Sequence, residues 1–82
     1  KSKKNEDGSI TTNAKVECAV FNKKYNSLIP SGNYETLAGY IISEIGRIPN
    51  EGENLFLKIG QIIIRKSNSR RIDEIQIFPN KK

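Results

Sequence analysis

The chain has 82 residues, with 14 Lys or Arg against 9 Asp or Glu, a formal charge of +5, one cysteine and no His, Trp or Met. A chain of this length forms one domain and buries only about 60 to 65% of the surface its unfolded form exposes, so Ile, Leu, Val and Phe must build a small core. One Cys and no His exclude a zinc cage and any imidazole acid or base. Cys18 alone cannot close an internal disulfide, which points to a reducing compartment. No apolar run reaches the roughly 18 to 20 residues of a membrane span, and no signal-peptide pattern opens the chain, so the segment reads as a soluble domain. It begins with Lys, as a piece of a longer polypeptide would.

In chain order, residues 1–8 (KSKKNEDG) hold no apolar residue and are expected to be a disordered linker end. The domain itself is expected over 9–79, with 80–82 as a tail. Ser9 to Thr12 predicts a short strand, and Asn13 offers an N-cap to a helix over 14–25, where Val16, Ala19 and Val20 recur at helical spacing. A turn-rich connector follows to Asn33, with Leu28 and Ile29 expected to tuck against the core. The second helix is predicted from Tyr34 to Ile45 behind an Asn33 cap, with Leu37, Tyr40, Ile41 and Ile45 on one face. Gly46 is its expected stop, and Pro49 cannot continue it. Gly39, costly by about 1 kcal/mol in mid-helix, predicts a close backbone approach of helix to sheet.

From Glu53 the period changes to two. Leu55, Leu57 and Ile59 alternate with Asn54, Phe56 and Lys58, and Gly60-Gln61 can turn the chain into Ile62 to Arg65. Ser67 to Ser69 then turns it into Ile72, Ile75 and Ile77, whose three-residue first step calls for a bulge near Asp73. Three strands on short turns form an antiparallel meander that two helices must cover. The expected fold is a two-layer α+β sandwich with both helices on one face of a small, mainly antiparallel sheet. The last strand or that of residues 9–12 is expected at an open edge, where weak homodimerisation by strand pairing is conceivable.

Chemistry is thin. Without His, a hydroxyl nucleophile lacks its usual activating base, so no catalytic residue is assigned. Glu51 and Glu53 suit a hard cation, but two carboxylates at a strand start more commonly form a solvated edge, and no metal ligand is assigned. Cys18, among apolar helix residues, reads as a buried inert thiol. The glycines are scattered singly, with no phosphate loop or dinucleotide fingerprint. Setting aside residues 1–8 and 80–82, nine basic and seven acidic residues remain. The local basic cluster is Arg65, Lys66, Arg70 and Arg71 around Ser67-Asn68-Ser69, either a solvated hairpin tip or a contact site. No aromatic lies between residues 57 and 77 to stack bases, so a nucleic-acid partner is not expected.

The stretch TLAGYIISEIGRIP, Thr36 to Pro49, followed by Glu51-Gly52, resembles the signature of the CorC/HlyC transporter-associated domain. Arg70-Arg71-Ile72 with Ile75 and Ile77 matches the family's final strand, and Asp7-Gly8-Ser9 its opening, so the likeness spans about residues 7–78. Cys18-Ala19-Val20-Phe21 departs from the acidic, Leu-rich pattern usual there. The resemblance implies the C-terminal domain of a hemolysin-like, CBS-domain-containing protein of magnesium and cobalt efflux, at the cytoplasmic face of a bacterial inner membrane. It implies as partners the CBS pair and membrane segment of the parent protein, or a partner transporter, together with a role in modulating transport and no catalytic residue. The fold it implies also resembles part of certain FAD-binding domains. FAD or an adenine nucleotide enters by that likeness alone, and no cofactor-binding residue is assigned.

Within the motif Arg47 stands out, because neither capping nor packing requires a guanidinium there. It can pair with Glu51, with a phosphate or with an acidic partner. Three readings follow: a docking module, a nucleotide or anion sensor working through Arg47, Arg70 and Arg71, and more remotely a basic nucleic-acid-binding hairpin.

Overall fold

A computed structural model describes residues 2–80. Five strands form one antiparallel sheet: β1 (Ser2–Lys4), β2 (Ile10–Asn13), β3 (Asn54–Leu57), β4 (Gly60–Ser67) and β5 (Ile72–Pro79), in the order β1-β2-β5-β4-β3. Two helices, α1 (Cys18–Tyr25) and α2 (Leu37–Ile45), precede the β3-β4-β5 meander. Alternation decides which side they cover. Ile10, Leu55, Ile62, Ile64, Ile75 and Ile77 point to one face and are buried with Phe21, Leu37, Tyr40 and Ile41 of the helices. Each such side chain contributes about 1.5 to 3 kcal/mol of burial. The expected α+β sandwich, with both helices on one face, is the observed fold.

Residues 2–8 differ from expectation. Ser2 to Lys4 pairs with β2, Ser2 opposite Thr12 and Lys4 opposite Ile10, so this stretch belongs to the sheet. Polar groups rather than apolar burial hold it. Asp7 Oδ1 accepts the amide and the hydroxyl of Ser9 at 2.8 and 2.6 Å, while the Ser9 hydroxyl accepts from Asn5 and from Gln76 of β5. Tyr25 donates to the Ser2 hydroxyl at 2.7 Å, tying β1 to α1. Hydropathy patterning cannot register a strand secured in this way.

Both helices begin three or four residues later than predicted. Residues 14–17 are not the first turn of α1: the carbonyls of Ala14 and Val16 accept the amides of Ala38 and Leu37, and Cys18 donates its amide to Glu35. One free donor at the start of α1 and two at the start of α2 are thus satisfied by the chain leading into the other helix. Asn13 is the end of β2, its side chain accepting from the Lys15 amide at 2.7 Å, and Glu17 occupies the cap position without a side-chain bond. For α2 the cap is Thr36, whose hydroxyl accepts from the Gly39 amide at 3.1 Å, in place of Asn33. Gly46 ends α2 in the left-handed conformation, as expected.

Gly39 does meet a close approach, but from Tyr34 in the segment before the helix: a Cβ there would lie 3.0 Å from that of Tyr34. Of the connector pair, Ile29 is buried and bonded at both backbone groups to the Asn22 side chain, whereas Leu28 is 83% exposed. The β3–β4 turn comes two residues early, at Lys58-Ile59, because Leu57 already pairs with Gly60. The edges of the sheet are β1 and β3; β5 is central and β2 internal, so neither strand expected at an edge lies there.

Irregular register does occur near Asp73. Ile64 pairs with Ile75, Lys66 with Glu74 and Ser67 with Ile72, which leaves Arg65 and Asp73 without opposite residues. On the β2 side, the Asp73 carbonyl accepts the Ala14 amide at 2.9 Å, which continues the β2–β5 register by one residue. The bulge restores Ile72 to the core face.

Candidate functional site

Arg47 lies one residue beyond the α2 stop, at the head of a loop whose shape its own side chains fix. Pro49 is buried, Gly52 takes a φ of 85° and the Glu53 amide closes a turn onto the Asn50 carbonyl. Arg47 pairs in a two-bond fork with Glu53: Nη1 donates to Oε1 at 3.0 Å, and Nη2 to Oε2. The partner is therefore Glu53, not Glu51. The Asn50 amide adds a bond to the same carboxylate at 2.9 Å. Held first by the Arg47 side chain and then by that amide, Glu53 has its pKa lowered to about 2, and Arg47 is pushed further up.

Glu51 faces elsewhere, accepting the Ser67 amide at 3.2 Å, while the Ser67 hydroxyl donates to the Pro49 carbonyl at 3.0 Å. These contacts seat the Arg47 loop on the end of β4. They also separate the two carboxylates considered for a hard cation, each of which has its own donor. Among the described residues no group of three or more His, Cys, Asp or Glu is arranged to hold a metal.

Past Ser67 the chain turns on Asn68, whose side-chain oxygen accepts the amides of Arg70 and Arg71 at 2.8 and 3.1 Å. Arg71 Nε lies 3.2 Å from Asp73 Oδ1. Among the described residues the Arg70 guanidinium has no partner. Ser67 thus brings Arg47, Arg70 and Arg71 to one end of the sheet, but two of the three are committed to carboxylates.

The three do not converge on a cavity. A shallow depression of about 300 Å³ at this end is lined by Glu51, Gly52, Ile63, Ile64 and Arg65. A wider groove of about 450 Å³ runs between β1 and α1, lined by Ser2, Val16, Val20, Phe21, Lys24 and Tyr25. Arg65, grouped in the sequence with Lys66, Arg70 and Arg71 as a hairpin tip or contact site, is absent from the candidate contacts Arg47, Arg70 and Arg71. Its signal was the three-residue step from Ile72 to Ile75, which marks the irregular register beside which Arg65 stands unpaired. Cys18 is buried, and burial pushes its thiol pKa up, away from the reactive thiolate.

The family model of the Transporter associated domain, CorC_HlyC, matches residues 3–81. Several solved structures share the fold. A conserved protein of unknown function from Haemophilus influenzae Rd KW20 superimposes with a TM-score of 0.89 at 20% identity, over 98% of this chain and 99% of that one. The transporter associated domain of a Xylella fastidiosa Temecula1 hemolysin, solved in complex with Mg++ and Mn++, gives 0.79 at 29% identity over 98% of each chain. The transporter associated domain of a CBS domain protein from Porphyromonas gingivalis gives 0.80 at 22% identity, again over 98% of each. No curated protein matches the sequence significantly.

Proposed function

Because this chain belongs to the CorC_HlyC transporter associated domain family, we propose that it is a non-catalytic docking module, which modulates divalent-cation transport by contacting neighbouring domains of its parent protein. The observation that supports this most is how the polar groups of the motif are used. Thr36, Arg47, Asn50, Glu51 and Glu53 all hold the shape of the helix start and the following loop, which presents a fixed outer surface. A catalytic centre would leave an acid, base or nucleophile free beside a substrate cavity.

The similar hemolysin domain was solved with Mg++ and Mn++, and the Porphyromonas gingivalis neighbour belongs to a CBS domain protein. We read the magnesium or cobalt ion as cargo of the parent, and a CBS pair with its membrane segment as the partners, at the cytoplasmic face of the membrane. Among the described residues no helix is long and apolar enough to cross a membrane. The test is an amide NMR titration of this domain with the CBS pair, with and without magnesium and adenine nucleotide. Nucleotide-dependent shifts that appear only with the CBS pair are expected. Shifts of Arg47, Arg70 or Arg71 with nucleotide alone would replace this reading with the sensor.

A further inference from the structure

The face of the sheet turned away from the helices is graded. Register places Phe56, Gln61 and Phe78 in one cross-strand row, and Asn54, Ile63, Gln76, Thr11 and Lys3 in the next. Beyond Ile63 the irregular register leaves Arg65 unpaired and sets Lys66 opposite Glu74, both basic side chains exposed. The pinned turn then adds Arg70. Arg65, Lys66 and Arg70 form no ion pair with a described residue, in contrast to Arg47 and Arg71. We propose that this basic end of the open sheet face is a docking surface for a carboxylate-rich protein segment carrying an apolar residue.

Three observations select that partner. A small anion needs converging donors, but the Arg70 and Arg71 amides that might cradle one are already bonded to Asn68 Oδ1, and the three free cations are strung along the hairpin. An extended polyanion suits that spacing better. A nucleic acid would also need stacking platforms among the cations, and the aromatic row of Phe56 and Phe78 lies about 13 Å from Arg65, four strand residues away. A protein segment has no such need. The depression lined by Glu51, Gly52, Ile63, Ile64 and Arg65 offers room for an apolar side chain beside the Arg65 cation, with the Glu51 carboxylate already held by the Ser67 amide.

This surface rests on the docking reading and names its contact. The test titrates the labelled domain at low ionic strength with a short glutamate peptide bearing one central leucine, and separately with oligo-dT of equal charge. Amide shifts at Gly52, Ile63 to Lys66 and Asn68 to Arg71 are expected with the peptide, weakening as salt rises. The double charge reversal Lys66→Glu with Arg70→Glu changes only exposed side chains. It should keep a dispersed spectrum and lose about tenfold in affinity, the sum of a few exposed ion pairs. Unchanged affinity in that variant, shifts confined to another face, or tighter binding of oligo-dT would each overturn the proposal. If the peptide leaves this surface silent while the CBS pair shifts another face, the surface is wrong and docking stands. If neither shifts anything, both fail.

Discussion

Gly60 lies directly against the backbone of Phe78, so close that a Cβ built on it would collide with the Phe78 carbonyl oxygen. Its φ of 137° is also one that side chains avoid. The contact sits where β4 begins, opposite Pro79, and the next residue, Asn80, donates its amide to the Ile59 carbonyl at 3.1 Å. Gly60→Ala is expected to cost about 3 kcal/mol, read as a lowered urea midpoint. Gly46→Ala is the control: its φ is 77°, but a Cβ there meets nothing within 4 Å, so only the left-handed penalty of about 1 kcal/mol applies. Equal losses in the two variants would show that the Phe78 collision relaxes away.

The Arg47–Glu53 fork makes a pH prediction. Glu53 has an ordinary value of 4.5 and titrates at about 2 in the fold. Between those values the unfolded chain binds the proton and the folded one does not, so stability falls as pH falls through that window and is unaffected above it. Arg47→Ala should return the Glu53 carboxyl midpoint toward 4.5 in a carbon-detected titration. Glu53→Gln should flatten this part of the acid limb. A midpoint near 4.5 in the unmodified protein would mean that the fork does not persist in solution.

Ser9 is the hub of the N-terminal hairpin, buried and bonded to Asn5, Asp7 and Gln76. Ser9→Ala strips a donor from Asp7 and an acceptor from two amides, at an expected cost of about 1 to 3 kcal/mol. Amide exchange should quicken first in Ser2 to Lys4. Global destabilisation without that local loss would place the effect elsewhere.

The two faces of the sheet should respond differently to truncation. Ile75→Ala removes a fully buried side chain at the centre of the core and should cost about 2 to 5 kcal/mol. Phe56→Ser, at a side chain 76% exposed on the open face, should stay within about 0.5 kcal/mol. A large loss at Phe56 would reveal a partner already covering that face in solution, such as a second copy. Sedimentation would detect one.

Features written in apolar spacing or backbone punctuation were legible in the sequence. Leu55, Ile75 and Ile77 alternate with polar or more exposed neighbours and face the core, Gly46 stops α2, and the odd step from Ile72 to Ile75 marks the irregular register. What stayed hidden depends on polar groups finding partners far along the chain. Ser9 reaches Gln76, Ala14 and Val16 accept from Ala38 and Leu37, and neither bond leaves a periodicity. The site was legible in the same measure. Arg47 drew notice as a guanidinium without a packing duty, but its carboxylate was set by the turn at Asn50 and Gly52, which places Glu53 and not Glu51 beneath it. Arg65 was legible as one of the hairpin cations, but not that it lacks an opposite residue, because the irregular register belongs to two strands at once.

The strand made last lies at the middle of the sheet, between β2 and β4. During synthesis, both the N-terminal hairpin and the β3–β4 hairpin emerge before the element that joins them, so neither finds its main neighbour until β5 leaves the ribosome. Assembly should come as a single late event, visible as one peak in a nascent-chain force profile at lengths beyond Pro79. A premature stop or a proteolytic cut before Ile72 would not shorten this domain. It would divide it into two hairpins with an apolar seam exposed on each, fragments suited to aggregation and to clearance by the cell's proteases.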